Sequence, residues 1–574
     1  MENVKRIPYG VSNFVEVVEQ NQYYVDKTMY LPLLEAQPNS LFFIRPRRFG
    51  KSIFLSMLRA YYDISQKDKF EKRFGNLWVG SHPTLLQGRY QVLFFDFSKA
   101  VAGGGTLEEN FNRYCCNALD GFMRTYAEFY SRELRDEFFR SDSSADKLAK
   151  IDIEAKRHEY PLYLIIDEYD NFTNIVLNEQ GERIYHDLTH ASGFYRDHFK
   201  LYKGMFERIF MTGVSPVTLD DLTSGFNIGW NISTDFQFNM MLGFSEVDVR
   251  TMLHYYKDAG LLPVSVDIEN MIADMKPWYD NYCFAEECLD RDPKMFNCDM
   301  VFYYLRSFIN LGRSPEQMID PNTRTDYNKM KKLIQLDRLD GDRKGVLRKI
   351  TDEGQIITSL VTSFTASEIT NPEIFPSLLF YYGMLTITGT RGDRIILGIP
   401  NNNVRKQYYE FMLEEYQNNR YINLNHLQDL YYDMAYEGRW RETFEFIAHA
   451  YKENSSVRSA IEGERNLQGF FTAYLSINGY YLTAPEMELN HGFCDLFLMP
   501  DLQHYETAHS YIIELKYLSA KDSEAKAEQQ WQEAVIQICD YAQAPRVRQL
   551  KQGTKLHLIV MQFRGHELVR IEEI

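Results

Sequence analysis

The sequence predicts the α/β class, with two α/β units and a mainly helical region between them. Three observations carry this. Residues 41–235 alternate continuously apolar runs with helical stretches, the pattern of a parallel sheet covered on both faces. From about Gly243 to Met412 helical periodicity dominates. From about residue 441 a helix, three strands, a helix and another strand follow in close succession.

At 574 residues the chain exceeds what one core supports. Its 45% hydrophobic and 25% charged residues are ordinary for a globular protein, and 15% aromatics argue for well-filled cores. A net charge of −17 argues against a broad nucleic-acid-coating surface, so any such contact needs a local basic groove. The seven cysteines show no C-x-x-C spacing and no signal peptide precedes them, which reads as free thiols in the cytoplasm. No apolar run approaches the ~20 residues needed to cross a bilayer, so no membrane is expected.

In the first unit, 1–235, strands are expected at 41–45, 90–97, 163–167 and 208–212. Helices are expected at 52–62, across 107–157 and at 184–206. The second region, 236–412, reads as a lid in which 375–387 and 395–400 form a helix and a small hairpin, winged-helix-like in shape. No run of Lys or Arg accompanies it, so packing is the stronger role. A helical connector is expected at 413–440. The last unit, 441–574, has helix 459–475, strand 480–489, a turn at 490–492, strands 494–499 and 510–515, helix 525–541 and strand 555–562.

Two constellations carry chemistry. A phosphate loop needs converging backbone N–H groups at a helix start, a lysine, and a hydroxyl for Mg²⁺. Gly50, Lys51 and Ser52 supply the last three positions of that motif directly after a strand, with Arg47, Arg48 and Phe49 before them. Arg45 stands where the first glycine belongs, and with Arg47 and Arg48 it concentrates positive charge where phosphate would lie. Alone, this match also fits a surface turn, the weaker of the two readings. Asp167, ending an apolar strand, answers the need for a second magnesium-positioning group, and Glu168 beside it can polarise a water. Thr212, at another strand tip, reads either as a phosphate or water contact or as a polar strand end.

In the last unit, Asp495 on one expected strand and Glu514 on the next can share a divalent cation, with Mg²⁺ or Mn²⁺ the expected ions. Lys516, two residues beyond Glu514, lies on the same strand face. Glu464, on the preceding helix, is either a further metal ligand or a carboxylate at the helix edge reaching solvent. As spacing alone, these charges also fit strand-end salt bridges.

The strings Arg45-Pro-Arg-Arg-Phe-Gly-Lys-Ser52, Ile165-Ile-Asp-Glu-Tyr-Asp170, Tyr24-Val-Asp-Lys-Thr28 and Trp278-Tyr-Asp-Asn-Tyr282 resemble the AAA-ATPase-like proteins of bacteria. Those are typically fused to a C-terminal PD-(D/E)XK superfamily nuclease domain. The resemblance implies a P-loop NTPase sheet and a restriction-endonuclease-like last unit, with ATP, Mg²⁺ and DNA as cofactors and partner. It makes Arg45 a family trait and matches Gln537 to a glutamine found after Glu-x-Lys in these nucleases. Asn281 replaces a usual glycine, Cys298 a usual proline and Phe493 a frequent arginine. For Asp26, Lys27 and Thr28, adenine-side packing and a structural turn stay open.

The expectation is an ATPase coupled to a metal-dependent nuclease, with self-association left open. The rival is a nucleotide-dependent switch or scaffold whose last domain only binds a partner.

Overall fold

The computed structural model describes residues 4–100, 104–170, 193–216, 229–292, 294–320, 343–364, 368, 371–417, 424–454, 463–489 and 492–574. The chain divides into two compact units. One comprises Met1–Arg313, Asp320–Arg343 and Ile356–Asn401, the other Ser314–Ile319, Lys344–Gln355 and Asn402–Ile574.

The first unit is organised by a five-stranded, all-parallel sheet. Strands β1 (Ser40–Ile44), β2 (Gln91–Asp96), β3 (Leu162–Asp167), β4 (Arg208–Gly213) and β5 (Trp230–Asn231) stand in the order β2-β3-β4-β1-β5. Every residue of β1 and β3 is buried, as helices on both faces require. The order inserts β4 between the strand that leads into the glycine-lysine turn and the strand that ends in Asp167.

Helix α1 (Lys51–Tyr62) follows β1 through that turn. Helices α2 (Leu107–Thr125) and α3 (Ser144–His158) pack together between β2 and β3. The single helical stretch expected over 107–157 is broken. Ser131 and Ser143 each accept a backbone N–H as helix caps, so the chain restarts at Arg132–Arg140 and again at α3. Helix α4 (Phe194–Tyr202) falls within the 184–206 expectation but ends at Tyr202, before 203–206; 184–192 lie outside the described residues. Further on come helix α5 (Cys298–Leu311), a helix at Phe375–Tyr381 and an antiparallel hairpin of Thr386–Arg391 with Arg394–Gly398. Asn281 adopts φ 78°, the left-handed backbone that an Asn tolerates in place of glycine.

In the second unit, helix α6 (Glu464–Leu475) precedes strands β6 (Tyr481–Leu489), β7 (Gly492–Pro500) and β8 (His509–Leu518). Helix α7 (Glu524–Gln543) leads to β9 (Lys555–Arg564) and β10 (Glu567–Glu573). Residues 455–462, where the first of these helices was expected to begin, and 490–491, in the expected turn, lie outside the described residues. The sheet order is β10-β9-β8-β7-β6; β8 and β9 pair in parallel, the rest antiparallel. Parallel pairing needs a crossover, and α7 supplies it. Its Trp531, Ala534 and Ile538 bury against Phe497, Ile512 and Val560. Strand β10 was not expected: it is an edge strand whose Glu567, Arg570, Glu572 and Glu573 place charge on the sheet edge, which protects it.

Candidate active sites

In the first unit the chain leaves β1 at Ile44 and turns through 45–50 into α1. Arg48 and Gly50 take positive φ, 66° and 88°. Glycine does so freely, whereas Arg48 holds a backbone of the kind found at functional turns. Lys51 Nζ donates to the carbonyls of Arg45 and Pro46 at 2.9 Å each, so the loop curls around its own lysine. Burial pulls that ammonium down to about 8, against the opposing pull of Asp167 and Glu168. Ser52 Oγ donates to Asp167 Oδ2 at 2.7 Å, while Asp167 Oδ1 is buried with no hydrogen-bond partner among the described residues. Burial lifts this carboxyl to about 6, opposed by the Ser52 bond and Lys51. Glu168, also left-handed at φ 50°, stands beside it.

A cavity of about 500 Å³ opens here, within the roughly 300–1,000 Å³ of small-molecule sites. Arg47, Arg48, Phe49, Gly50, Lys51, Ser52 and Glu168 line it, and Tyr24, Val25, Phe244 and Phe302 give it an apolar part. The cavity therefore has a cationic loop and an aromatic wall, the two environments that a phosphate tail and a base require.

Two expected groups turn elsewhere. Arg45 is not at the cavity but buried, 1% exposed. It donates to the carbonyls of Ile44, Ser233 and Phe238 and is sandwiched between the Phe43 and Phe284 rings. Its charge braces the loop from behind, which corrects the reading that it lies where phosphate would. Thr212 Oγ1 donates to the Phe43 carbonyl at 2.6 Å, tying β4 to β1. Phe49 sets its ring edge-on to Tyr282 and Phe284, anchoring the other arm of the loop. Of the open trio, Asp26 and Thr28 form a turn: Asp26 accepts from Thr28 and from Trp78 N, and Thr28 Oγ1 from Val79 N. Lys27 lines the cavity and pairs with Asp248 at 2.9 Å.

In the second unit β7 and β8 bring Asp495, Glu514 and Lys516 together. Asp495 Oδ2 accepts the Leu515 N–H at 2.6 Å, and Lys516 Nζ reaches Glu514 Oε1 at 2.7 Å. Period-two alternation puts Glu514 and Lys516 on one face. Glu514 is 2% exposed, and its Oε2 has no partner among the described residues. Burial, then the neighbouring Glu514 charge, pushes Asp495 up to about 8; burial also raises Glu514. Burial opposes the Lys516 charge, but the carboxylates around it outweigh that and hold its ammonium high.

Glu464 is brought to the lysine at 3.5 Å, its side chain 44% exposed. It begins α6 and turns to Lys516 beside the acid pair, a placement that fits either of its two readings. Among the described residues no group of three or more His, Cys, Asp or Glu stands ready to hold a metal. The buried, unpartnered oxygens of Asp167 and Glu514 are nevertheless what a divalent cation satisfies, so both donor sets fit one.

Residues 8–223 match the family model of a predicted AAA-ATPase, and residues 462–573 match that of the PD-(D/E)XK nuclease superfamily. The chain joins an AAA-ATPase-like domain to a PD-(D/E)XK nuclease superfamily domain. A relative, the uncharacterized protein in the vnfD 5' region of Azotobacter chroococcum mcd 1, is 24% identical over 291 residues. That is 50% of this chain and 50% of the relative, so the chain spans about half the length of the protein it matches. Among solved structures, the Aeropyrum pernix Orc1 protein in complex with DNA aligns over 68% of this chain and 91% of that one. The identity is 11% and the TM-score 0.25.

Two residues escaped the sequence reading. In the AAA-ATPase-like domain, Asp170 is 1% exposed and accepts the N–H groups of Val214 and Ser215, clamping the exit of β4 beside Asp167. In the nuclease superfamily domain, Tyr541 Oη donates to the Phe493 carbonyl at 3.1 Å. Burial, then the Glu514 charge, lifts its phenol to about 12. Asp170 was visible within its motif but carried no role; Tyr541 follows Gln537 by one helical turn, a spacing that offered a signal. Gln537 itself is exposed on α7. Among the described residues no helix is long and apolar enough to cross a membrane.

Proposed function

We propose that the first domain binds and hydrolyses ATP and that the second cleaves phosphodiester bonds with a divalent metal, DNA being the substrate and nucleotide state gating the cut. At the first site Lys51 exchanges the Arg45 and Pro46 carbonyls for the terminal phosphates, and the loop's N–H groups cradle them. Ser52 and Asp167 would hold Mg²⁺, which when bound neutralises charge developing on the transferred phosphoryl group. Glu168 accepts the proton of the attacking water. At the second site Asp495 and Glu514 would hold Mg²⁺ or Mn²⁺, which when bound acidifies water and polarises the phosphate. Lys516 orients that water or stabilises charge on the phosphate, its ammonium kept protonated by the acids around it.

The observation that carries the reading is the meeting of Asp495, Glu514 and Lys516 around a buried carboxylate oxygen with no partner among the described residues. Plasmid degradation in Mg²⁺ and Mn²⁺ tests it: wild type degrades and Lys516→Ala does not. Equal degradation by both, or none by either, sinks the nuclease reading.

One observation favours the scaffold alternative. Lys516 is ion-paired with both Glu464 and Glu514, as it would be in a purely structural salt-bridge cluster. Titrating Mn²⁺ into the full chain and into its Asp495→Asn variant separates the readings, since a scaffold loses no metal site with that substitution.

A further inference from the structure

Phe493 is 61% exposed on β7, two residues before Asp495, while Cys494 between them is fully buried. Alternation along the strand therefore turns both Phe493 and Asp495 away from the core that holds Cys494. The backbone here is fixed on two sides. Phe493 pairs with Glu488 across the antiparallel ladder, and its carbonyl takes the Tyr541 hydroxyl. Gly492 packs so close to that phenol that a Cβ there would meet its oxygen at 2.8 Å. A water-facing benzyl ring is thus carried on a pinned backbone two residues from Asp495 of the proposed cleavage site.

We infer that Phe493 is a stacking platform for an unpaired nucleobase next to the phosphate to be cut, which makes a substrate with locally single-stranded nucleic acid the preferred one. The inference rests on the nuclease reading. Every base offers a π face, so the ring contributes affinity without reading sequence. Because the contact is not ionic, it releases no counterions and adds nothing to the salt dependence of binding. An arginine at this position would hold backbone phosphate instead, with the opposite salt behaviour.

The test uses the full chain in Mg²⁺ with Lys516→Ala as a background that does not cut. Binding is followed by anisotropy on a single-stranded oligonucleotide carrying 2-aminopurine and on a blunt, fully paired duplex. Adding Phe493→Ala weakens single-strand binding about tenfold, by the same factor at 50 and 200 mM salt. It abolishes the 2-aminopurine quenching and leaves duplex binding unchanged, and Phe493→Trp restores both affinity and quenching. Unchanged single-strand affinity, or a loss that vanishes at the higher salt, overturns the platform while wild-type cleavage keeps the nuclease reading. Absence of both binding and wild-type cleavage removes the two together.

Discussion

Replacing Arg45 by methionine separates a brace from a phosphate ligand. Burial drops the guanidinium from its ordinary value to about 9, and a drop of that size costs roughly 5 kcal/mol for carrying the charge inside. Against it stand three charge-assisted bonds to the carbonyls of Ile44, Ser233 and Phe238, at about 1.5–3 kcal/mol each. The faces of Phe43 and Phe284 at 4.3 and 4.1 Å add to these, at about 1–2 kcal/mol each when desolvated. Methionine keeps the volume, forfeits the bonds and faces, and relieves the desolvation. The net expectation is a loss of about 2–5 kcal/mol, most of it from carbonyls left dry and unpaired. Guanidinium denaturation of the full chain gives the stability of the first unit, and isothermal titration well below the transition gives ATP affinity. An unchanged denaturation midpoint together with a tenfold or greater loss of ATP affinity would refute the brace and place the guanidinium on phosphate.

Three further outcomes follow from the same unit. Lys51→Ala leaves the fold intact and weakens ATP binding at least tenfold by titration, because the loop keeps its turn but loses its only buried ammonium among the described residues. Thr212→Val costs about 1 kcal/mol of stability and less than threefold in ATP turnover, since the hydroxyl is spent on the Phe43 carbonyl. A hundredfold fall in turnover would return it to the phosphate. His198 is 7% exposed and packed edge-on to Phe111 and Tyr202, and burial pulls its imidazole down from 6.5 to about 4. The unfolded chain therefore takes up a proton between pH 6.5 and 4 that the folded one refuses, so stability present above 6.5 is lost as pH falls. Between pH 7.5 and 5.5 this amounts to about 1.3 kcal/mol. Denaturation of His198→Phe should show a pH slope shallower than wild type by that amount, and identical slopes would refute it.

The local parts of both sites were legible in the sequence because short-range rules govern them. A strand, a glycine turn and a helix in immediate succession dictate the loop at Gly50, and an apolar run ending in Asp167 dictates a carboxylate at a sheet end. Period-two alternation dictates that Glu514 and Lys516 share a face. Edge strand β10 was hidden because four of its seven residues are charged, which dilutes the apolar signal on which strand recognition depends.

What the chain order withheld belongs to contacts between residues far apart along it. Arg45 sits in a run of arginines, and only the carbonyls of Ser233 and Phe238 and the ring of Phe284 draw it inward. Strand order placed β4 between β1 and β3, which spent Thr212 on a neighbouring strand. The start of α6 handed Glu464 to the lysine, and α7 brought Tyr541 back across 48 residues to Phe493. Composition and periodicity determine which residue types stand at strand ends and turns, through local sterics and hydrophobic burial. Which of those groups keeps its charge for chemistry and which is consumed as a brace is decided by long-range packing, since that alone sets desolvation and partners.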